Sequence, residues 1–543
     1  MRVTSPRQAA DGSQNDTTAG RWGIRAWLIP VNIVIAVATL LALGLRVYQL
    51  TGRAYLLGVT EYDDGSYLGS AIRLVNGALP YRDFVFVQPS GITLLMTPIA
   101  LVTKVTGSTA WGMGIGRILT TIVSAAGVLL AGLIVRHRGL PATILACGLL
   151  AIYPDSVITA RTILLEPWLV LFCLLGALAV FDADRITDSK RRLILGGLAL
   201  GFAGAIEVWA IMPALVIVAL LLPNLRKMLT CLAGMAAGFL IPVVPFAATD
   251  PAAFFRDVVI AQVGPRVGYV RVGTYYRLRE MFGFSNVTLG HPRLALAAVL
   301  ILGFVVGVPA CAWLVTHRPP PPLEWFAPVT AVLIMASFLY PEQFYFHFIA
   351  FLAPFLAMAV GLASSRLVET VQPLADRAGA RTLLRWSAVG LAAALVFLLA
   401  FSEIGAVHRL HHDNVFIARS SMLPVIDRVT RPGDCVLSDQ VSYTILANRF
   451  LSDVPGCSLM DDPTGADLAL SRGRTPSSGA GNVPAVAAFW WDALRHAKVV
   501  MLSGRSFKRV AWAPGLKTYF HDHFRLVARD PAQDALYVRT ASG

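Results

Sequence analysis

The sequence predicts a polytopic α-helical membrane protein with a small α/β domain at its C-terminal end. Of 543 residues, 56% are hydrophobic and only 14% are charged, against about 25% charged in an average soluble chain. Mean hydropathy is +0.64. Apolar stretches approaching the ~20 residues that cross a bilayer as helix recur along the chain. Disorder, collagen and a secreted disulfide scaffold are excluded. The formal net charge of +14 would point to nucleic acid in a soluble domain. Here many Lys and Arg sit in short connections between apolar segments, where topology accounts for them.

Residues 1–25 are polar, and Arg21 and Arg25 immediately precede the apolar segment Ala26–Val47. That segment is too long for a signal-peptide core, so it is expected to be a retained first helix behind a cytoplasmic tail. Further helices are expected at 113–135, 140–154, 165–181, 193–207, 208–223, 228–248, 293–316, 324–340, 347–365 and 386–405. Basic residues fill alternate connections: Arg136 and Arg138, then Arg185 and Lys190 to Arg192, then Arg226 and Lys227, then Arg318, then Arg366, Arg377, Arg381 and Arg385. The positive-inside rule makes these cytoplasmic. About eleven crossings over residues 26–405 then leave the C-terminus outside. The stretch Ile92–Val105, which holds Pro98 and Lys104, is read as a membrane-surface or re-entrant helix. Counting it as a span would put the Arg136 and Arg138 turn outside.

Hydrophilic regions at 49–112, 249–292 and 406–543, with the short connection 155–166, are expected on one outer side. Beyond residue 405 the runs Asp434–Ser438 and Lys498–Leu502 read as strands between helical segments, hence a small extracytoplasmic α/β domain. Ser471–Asn482, rich in Ser, Gly, Arg and Pro, reads as a mobile loop. Cys435 and Cys457 share this tail and are a disulfide candidate in an oxidising compartment, subject to the Cα separation. The other cysteines lie in apolar segments, and no metal-ligand spacing appears. There is no Walker A or dinucleotide loop, and no visible internal repeat.

The strongest chemical signal is Glu61-Tyr62-Asp63-Asp64-Gly65-Ser66-Tyr67, followed by Pro80-Tyr81-Arg82-Asp83-Phe84 and Gln88-Pro89-Ser90-Gly91. Two readings stay open: acidic residues that open a helix near Ser66, or a carboxylate at the water interface able to act as general base. The second signal is Arg161-Thr162-Ile163-Leu164-Leu165-Glu166-Pro167. Glu166 is either a favourable charge at a helix start, with Arg161 as a partner, or a functional acid where charge is expensive. Arg256, Arg266, Arg271, Arg277 and Arg279 alternate with Gln262, Tyr269, Tyr275 and Tyr276, a composition suited to lipid headgroups. His347 is either structural, with Glu342 near enough in sequence to pair, or a contact to phosphate or sugar. Glu207 and Trp209 lie at the outer bend of a helical hairpin. His411-His412-Asp413 and His521-Asp522-His523 invite a metal reading but lack a second cluster at ligand spacing.

Over most of the chain these residues resemble the GT-C glycosyltransferases that use polyprenyl-phosphate sugars, such as protein O-mannosyltransferases and lipid A aminoarabinose transferases. Tyr62-Asp63-Asp64-Gly65 with Tyr67 and Pro80–Phe84 looks like the family's Asp-Glu catalytic loop, with Asp where the second acid is often Glu. Arg161–Glu166 looks like the Arg-x-x-Leu-Leu-Asp element of O-mannosyltransferases, with Glu for Asp. Gln88-Pro89 stands where many members have a Pro-Pro pair, and Phe254–Phe282 resembles the Arg-rich outer loop.

The resemblance implies a catalytic set of Asp63, Asp64 and Glu166, with Asp63 as base and the other two positioning acceptor, donor phosphate or a divalent cation. It implies a donor phosphate and sugar set of Arg161, Arg266, Arg271, His347, Gln88 and Arg82. A metal, if one is used, would fall to Asp63, Asp64 and Glu166. The implied partners are a polyprenyl-phosphate sugar, with mannose favoured and arabinose open, a glycan, glycolipid or protein acceptor, and the bilayer, but no nucleic acid. The Ala-, Gly- and Arg-rich composition looks like actinobacterial wall-glycan transferases. The alternative is a transporter or flippase of a lipid-linked sugar, which would need polar residues through the mid-membrane. The acids of interest here collect near one face.

Overall fold

The computed structural model describes residues 16–264, 266–413, 415–504 and 509–540. Among them seven helices are long and apolar enough to cross a membrane: Ile29–Leu50, Thr109–Arg138, Leu225–Ala247, His291–Thr316, Pro322–Leu339, Phe346–Arg377 and the segment opening at Arg381. The shorter apolar helices Gly91–Thr106, Leu140–Ala151, Leu165–Val180 and Val208–Leu221 pack among them.

The first ten helices carry most of the site. They are α1 (Asp16–Leu50), α2 (Asp63–Val75), α3 (Gly91–Thr106), α4 (Thr109–Val135), α5 (Leu140–Ala151), α6 (Pro154–Thr159), α7 (Leu165–Val180), α8 (Lys190–Ile206), α9 (Ile211–Leu221) and α10 (Leu225–Ala247). α1 starts before the expected Ala26, and residues 1–15 of the expected cytoplasmic tail lie outside the described residues. Polar caps set other helix starts. The Ser108 side chain accepts from Trp111 N, Ser189 from Arg192 N and Asn224 from Lys227 N, satisfying amides that have no partner inside the helix. The Ile92–Val105 stretch is α3, which buries Ile92, Met96, Ile99 and Ala100 while Leu101, Val102 and Val105 stay exposed.

α8 and α10 cross closely through two small-xxx-small pairs, Gly197 with Gly201 and Gly234 with Gly238. A Cβ at Gly201 would stand 2.0 Å from the Met235 carbonyl oxygen, and one at Gly238 would stand 2.2 Å from that of Leu198. Only glycine permits that approach, which is how helices associate where burial from water is not available.

Connections expected on the cytoplasmic side meet one another at one end of the bundle. Arg138 contacts Asp184 at 2.8 Å, Glu324 at 2.5 Å and Glu369 at 3.0 Å. Asp184 lies beside a two-stranded ribbon of β1 (Phe181–Asp182) and β2 (Arg185–Ile186), and Arg366 donates to the Arg318 carbonyl at 2.8 Å.

Beyond the long helix Arg381–His411 the tail folds around a four-stranded sheet of order β3-β4-β6-β5. β3 (Val436–Ser438) and β4 (Val499–Leu502) run parallel, while β5 (Phe524–Arg529) and β6 (Ala535–Arg539) complete it antiparallel. Both parallel strands are buried along their whole length, β4 as an apolar run and β3 as Val436-Leu437 ending at Ser438, as a sheet covered on both faces requires. Trp490 and Phe520 fill the core on one face, and the Trp490 indole N–H donates to Asp467 at 2.7 Å. Cys435 and Cys457 are disulfide-bonded with a Cα separation of 5.6 Å.

Ser471–Asn482 is the segment expected as a mobile loop. That segment forms two short 3-10 turns, and a capping box closes Thr475 on Ser478. Val267 N donates to the Gly473 carbonyl at 2.9 Å and Thr475 N to the Val267 carbonyl at 3.2 Å. Serines and glycines there shape a docking turn rather than a free linker.

Candidate active site

α2 opens with Asp63 and Asp64 side by side. Adjacent helical residues point about 100° apart, and the two carboxylates meet different surroundings. Asp64 is wholly buried, with Arg117 Nη2 at 2.5 Å, Thr162 Oγ1 at 2.6 Å and Ser442 Oγ at 2.7 Å. Arg117 also donates to the carbonyls of Tyr55, Leu56 and Gly58 at 2.8 to 2.9 Å. One guanidinium on α4 therefore staples the segment before the acidic pair.

Asp63 faces the other way, its side chain 32% exposed and its Oδ2 4.0 Å from His347 Nε2. The opposite ring nitrogen, His347 Nδ1, lies 2.6 Å from Glu166 Oε1. An ionised carboxylate only accepts, so Nδ1–H donates to Glu166 and Nε2 is left towards Asp63. Glu166 stands in the first turn of α7, where a helix start favours negative charge. Burial pushes the Asp63 carboxyl up to about 7; His347 opposes that rise while Glu61, Asp462 and Glu166 add to it. An interfacial carboxyl so placed changes protonation near neutrality, as a general base requires. Glu207, buried at the break between α8 and α9, interacts electrostatically with Glu166, His347 and Asp63.

No protein-family model and no curated protein matches the sequence. Solved structures do match the fold. ArnT from Cupriavidus metallidurans bound to undecaprenyl phosphate superposes with a TM-score of 0.57 at 15% identity, covering 95% of this chain and 98% of that one. Its apo state gives 0.56 at 14% identity, covering 97% and 99%. The archaeal oligosaccharyltransferase AglB from Archaeoglobus fulgidus, in complex with an inhibitory peptide and a dolichol-phosphate, gives 0.53 at 13% identity, covering 94% and 74%. The chain has the GT-C fold.

In this chain, Asp63, Glu166 and His347 come together although 181 residues separate His347 from Glu166. Neither sequence-local pairing forms: His347 takes Glu166 rather than Glu342, and Arg161 is not paired with Glu166. Arg161 lies instead over the rings of Phe416 and Tyr55, at 4.9 and 5.5 Å, with a buried Nη1 that has no hydrogen-bond partner among the described residues. Arg266 also has a buried Nη1 without such a partner. It is linked to the centre through Tyr345, which stacks on His347 with ring centroids 5.4 Å apart and interacts electrostatically with Asp63, Arg266 and Arg509.

Two expected ligands, Arg82 and Arg271, are engaged elsewhere, and Gln88 through its backbone alone. Arg82 makes a half-exposed pair with its neighbour Asp83 at 2.8 Å. Arg271 is exposed and donates to the Leu339 carbonyl at 3.1 Å. The Gln88 carbonyl accepts from the Tyr81 hydroxyl at 2.8 Å, and its side chain is half-buried. Asp63, Asp64 and Glu166 do not form a metal-ligand set, because Asp64 is neutralised by Arg117 and bonded through both oxygens. Among the described residues no group of three or more His, Cys, Asp and Glu is arranged to hold a metal. The His411 ring, one of the two His-rich runs weighed above, is bonded to Thr51 and stacked on Tyr48.

The tail supplies residues that the pattern of the chain did not single out. Beyond Ser442, Gln440 Nε2 donates to the Glu61 carbonyl at 2.9 Å. Asp462 accepts from the Tyr62 hydroxyl at 2.8 Å, and Arg509 stands over the Tyr62 ring at 4.8 Å. The segment after β3, Asp462 and Arg509 thus close over the acidic loop. Arg117 had a readable signal, a cation inside an otherwise apolar helix; Ser442, Asp462 and Arg509 had none.

Proposed function

We propose that the protein is an inverting glycosyltransferase that moves a sugar, with mannose favoured, from a polyprenyl-phosphate donor to a hydroxyl of a cell-envelope glycan, glycolipid or protein. The observation that carries this reading is the partly open Asp63 carboxylate, set against the buried His347–Glu166 pair in a GT-C fold. The bound undecaprenyl phosphate of ArnT and dolichol-phosphate of AglB support a lipid-phosphate donor. A donor of that kind keeps its tail in lipid while its anomeric carbon meets a hydroxyl in water, so the site belongs at the interface.

Asp63 takes the proton of the acceptor hydroxyl as its oxygen attacks the anomeric carbon. The bond from that carbon to the phosphate oxygen breaks, and its electron pair leaves with the polyprenyl phosphate. Attack opposite the leaving group inverts the anomeric configuration. The phosphate is already a weak base and needs no proton, but it needs a cation. Arg266, whose buried Nη1 has no hydrogen-bond partner among the described residues, fits that role. His347 and Glu166 position Asp63, and Asp64 anchors the loop. No step is assigned to a divalent ion, because Asp64 is already committed to Arg117.

The same reading puts the site and the tail from residue 406 onward outside the cytoplasm. The disulfide of the tail and the Arg-rich connections at the opposite end support it. The test is transfer of radiolabelled sugar from synthetic polyprenyl-phosphate-mannose to a membrane glycolipid extract, by wild type and Asp63→Asn side by side. Transfer by wild type alone supports the assignment; equal transfer by the variant removes Asp63 as base. Polyprenyl-phosphate-arabinose is the second donor. Silence with both, alongside lipid flipping in vesicles, favours the transporter.

A further inference from the structure

A groove of about 400 Å³ separates the catalytic loop from the tail domain. Asp83 and Phe84 line one wall; Asp461, Asp462, Phe489 and Asp492 line the other. Its inner end abuts the catalytic centre, because Asp462 accepts from the Tyr62 hydroxyl and adds to the rise of the Asp63 pKa. The charged side chains that line it are all carboxylates. Cations stand against two of them without lining the groove, Arg82 against Asp83 and Arg73 against Asp461 at 3.9 Å, while the His496 ring lies 3.7 Å from Asp492. Asp461 is fully buried, and neither of its oxygens has a hydrogen-bond partner among the described residues.

Carboxylates accept hydrogen bonds and cannot donate. A groove whose charged side chains are all carboxylates is complementary to a ligand that brings hydrogen-bond donors. Hydroxyls and ammonium groups qualify. A phosphate or carboxylate would meet like charge, which is a means of rejection as well as a lost contact. Half-buried Phe489 supplies an apolar face of the kind that pairs with a few placed polar groups in ligand sites. The disulfide at Cys457 ties this wall to the residue before β3.

We propose that this groove holds the acceptor, and that it selects a neutral or amino-substituted oligosaccharide over an anionic one. The proposal rests on the transferase reading for its name of acceptor, but the groove's preference is separable from it. The experiment presents the purified full-length protein to a printed array of neutral hexasaccharides, hexosamine oligomers and phosphorylated forms of the same sugars. Wild type is expected to retain neutral or amino spots and not phosphorylated ones. Phe489→Ala is expected to weaken that binding about tenfold, the loss seen when a contact aromatic is truncated. Asp492→Lys is expected to admit phosphorylated spots.

No oligosaccharide binding by wild type, a preference for phosphorylated forms, or unchanged binding in both variants overturns the proposal. Sugar transfer by the same wild-type preparation is measured in parallel and separates the two readings. If wild type binds neutral glycans through Phe489 yet transfers no sugar, the transferase reading fails and the groove stands.

Discussion

His347 donates from Nδ1 to Glu166 Oε1 across 2.6 Å, and its other nitrogen stops 4.0 Å short of Asp63. A buried acid thus fixes the orientation of an imidazole that faces a partly open one. Replacing Asp63 by Asn removes the proton acceptor and keeps the shape. The expected loss in kcat is on the order of a thousandfold, with the Kd for polyprenyl phosphate, read by tryptophan fluorescence, changed less than threefold.

The Asp63 carboxyl is raised to about 7, and the charged form is the base. Activity should therefore fall as pH drops through about 7, tenfold per unit below it. His347 is the neighbour that opposes the rise and Asp462 one that adds to it. The acidic limb of kcat/KM should move to higher pH in His347→Gln and to lower pH in Asp462→Asn. Identical profiles in both variants would contradict the placement.

Asp64 and Arg117 form a buried ion pair, and removing one partner of such a pair leaves a charge without compensation. Arg117→Met should lower stability by about 3–5 kcal/mol. Ser442→Ala removes one hydrogen bond to the same carboxylate and should cost about 1.5–3 kcal/mol. Thermal unfolding in detergent gives the order, and a Ser442→Ala protein less stable than Arg117→Met would reverse the hierarchy.

Gly268 has φ +89°, and a Cβ there would sit 2.5 Å from Thr475 Oγ1. Gly268→Ala should push apart the contact between the Arg266 loop and the tail, raising the donor KM about tenfold with kcat changed less. Arg266→Gln should instead lower kcat about a hundredfold, because it removes charge stabilisation of the leaving phosphate.

Helix positions were legible, and Asp63, Glu166 and His347 could be singled out, because both rest on local properties: apolar run length, acidic residues at helix starts, charge near a membrane face. Partner choice was not. Nothing within the Arg161–Glu166 element says that Glu166 turns to a histidine on another helix, and nothing near His347 rules out Glu342. Asp63 and Asp64 are chemically equal neighbours; only the Arg117 guanidinium from α4 makes one an anchor and leaves the other open. The Ser471–Asn482 turn shows the limit of composition, since the residues that suit a loose linker also suit a capped docking turn.

Ser442 bonds to Asp64 across 378 residues, whereas Arg117 lies 53 residues from it. At about 5–20 residues per second of synthesis, the ion pair can form on the order of tens of seconds before the serine exists. A nascent chain therefore holds its acidic loop pinned from below and uncovered from above until the last quarter has been made. Asp64 is within reach during that interval and closed off after it, whereas Asp63 stays open throughout.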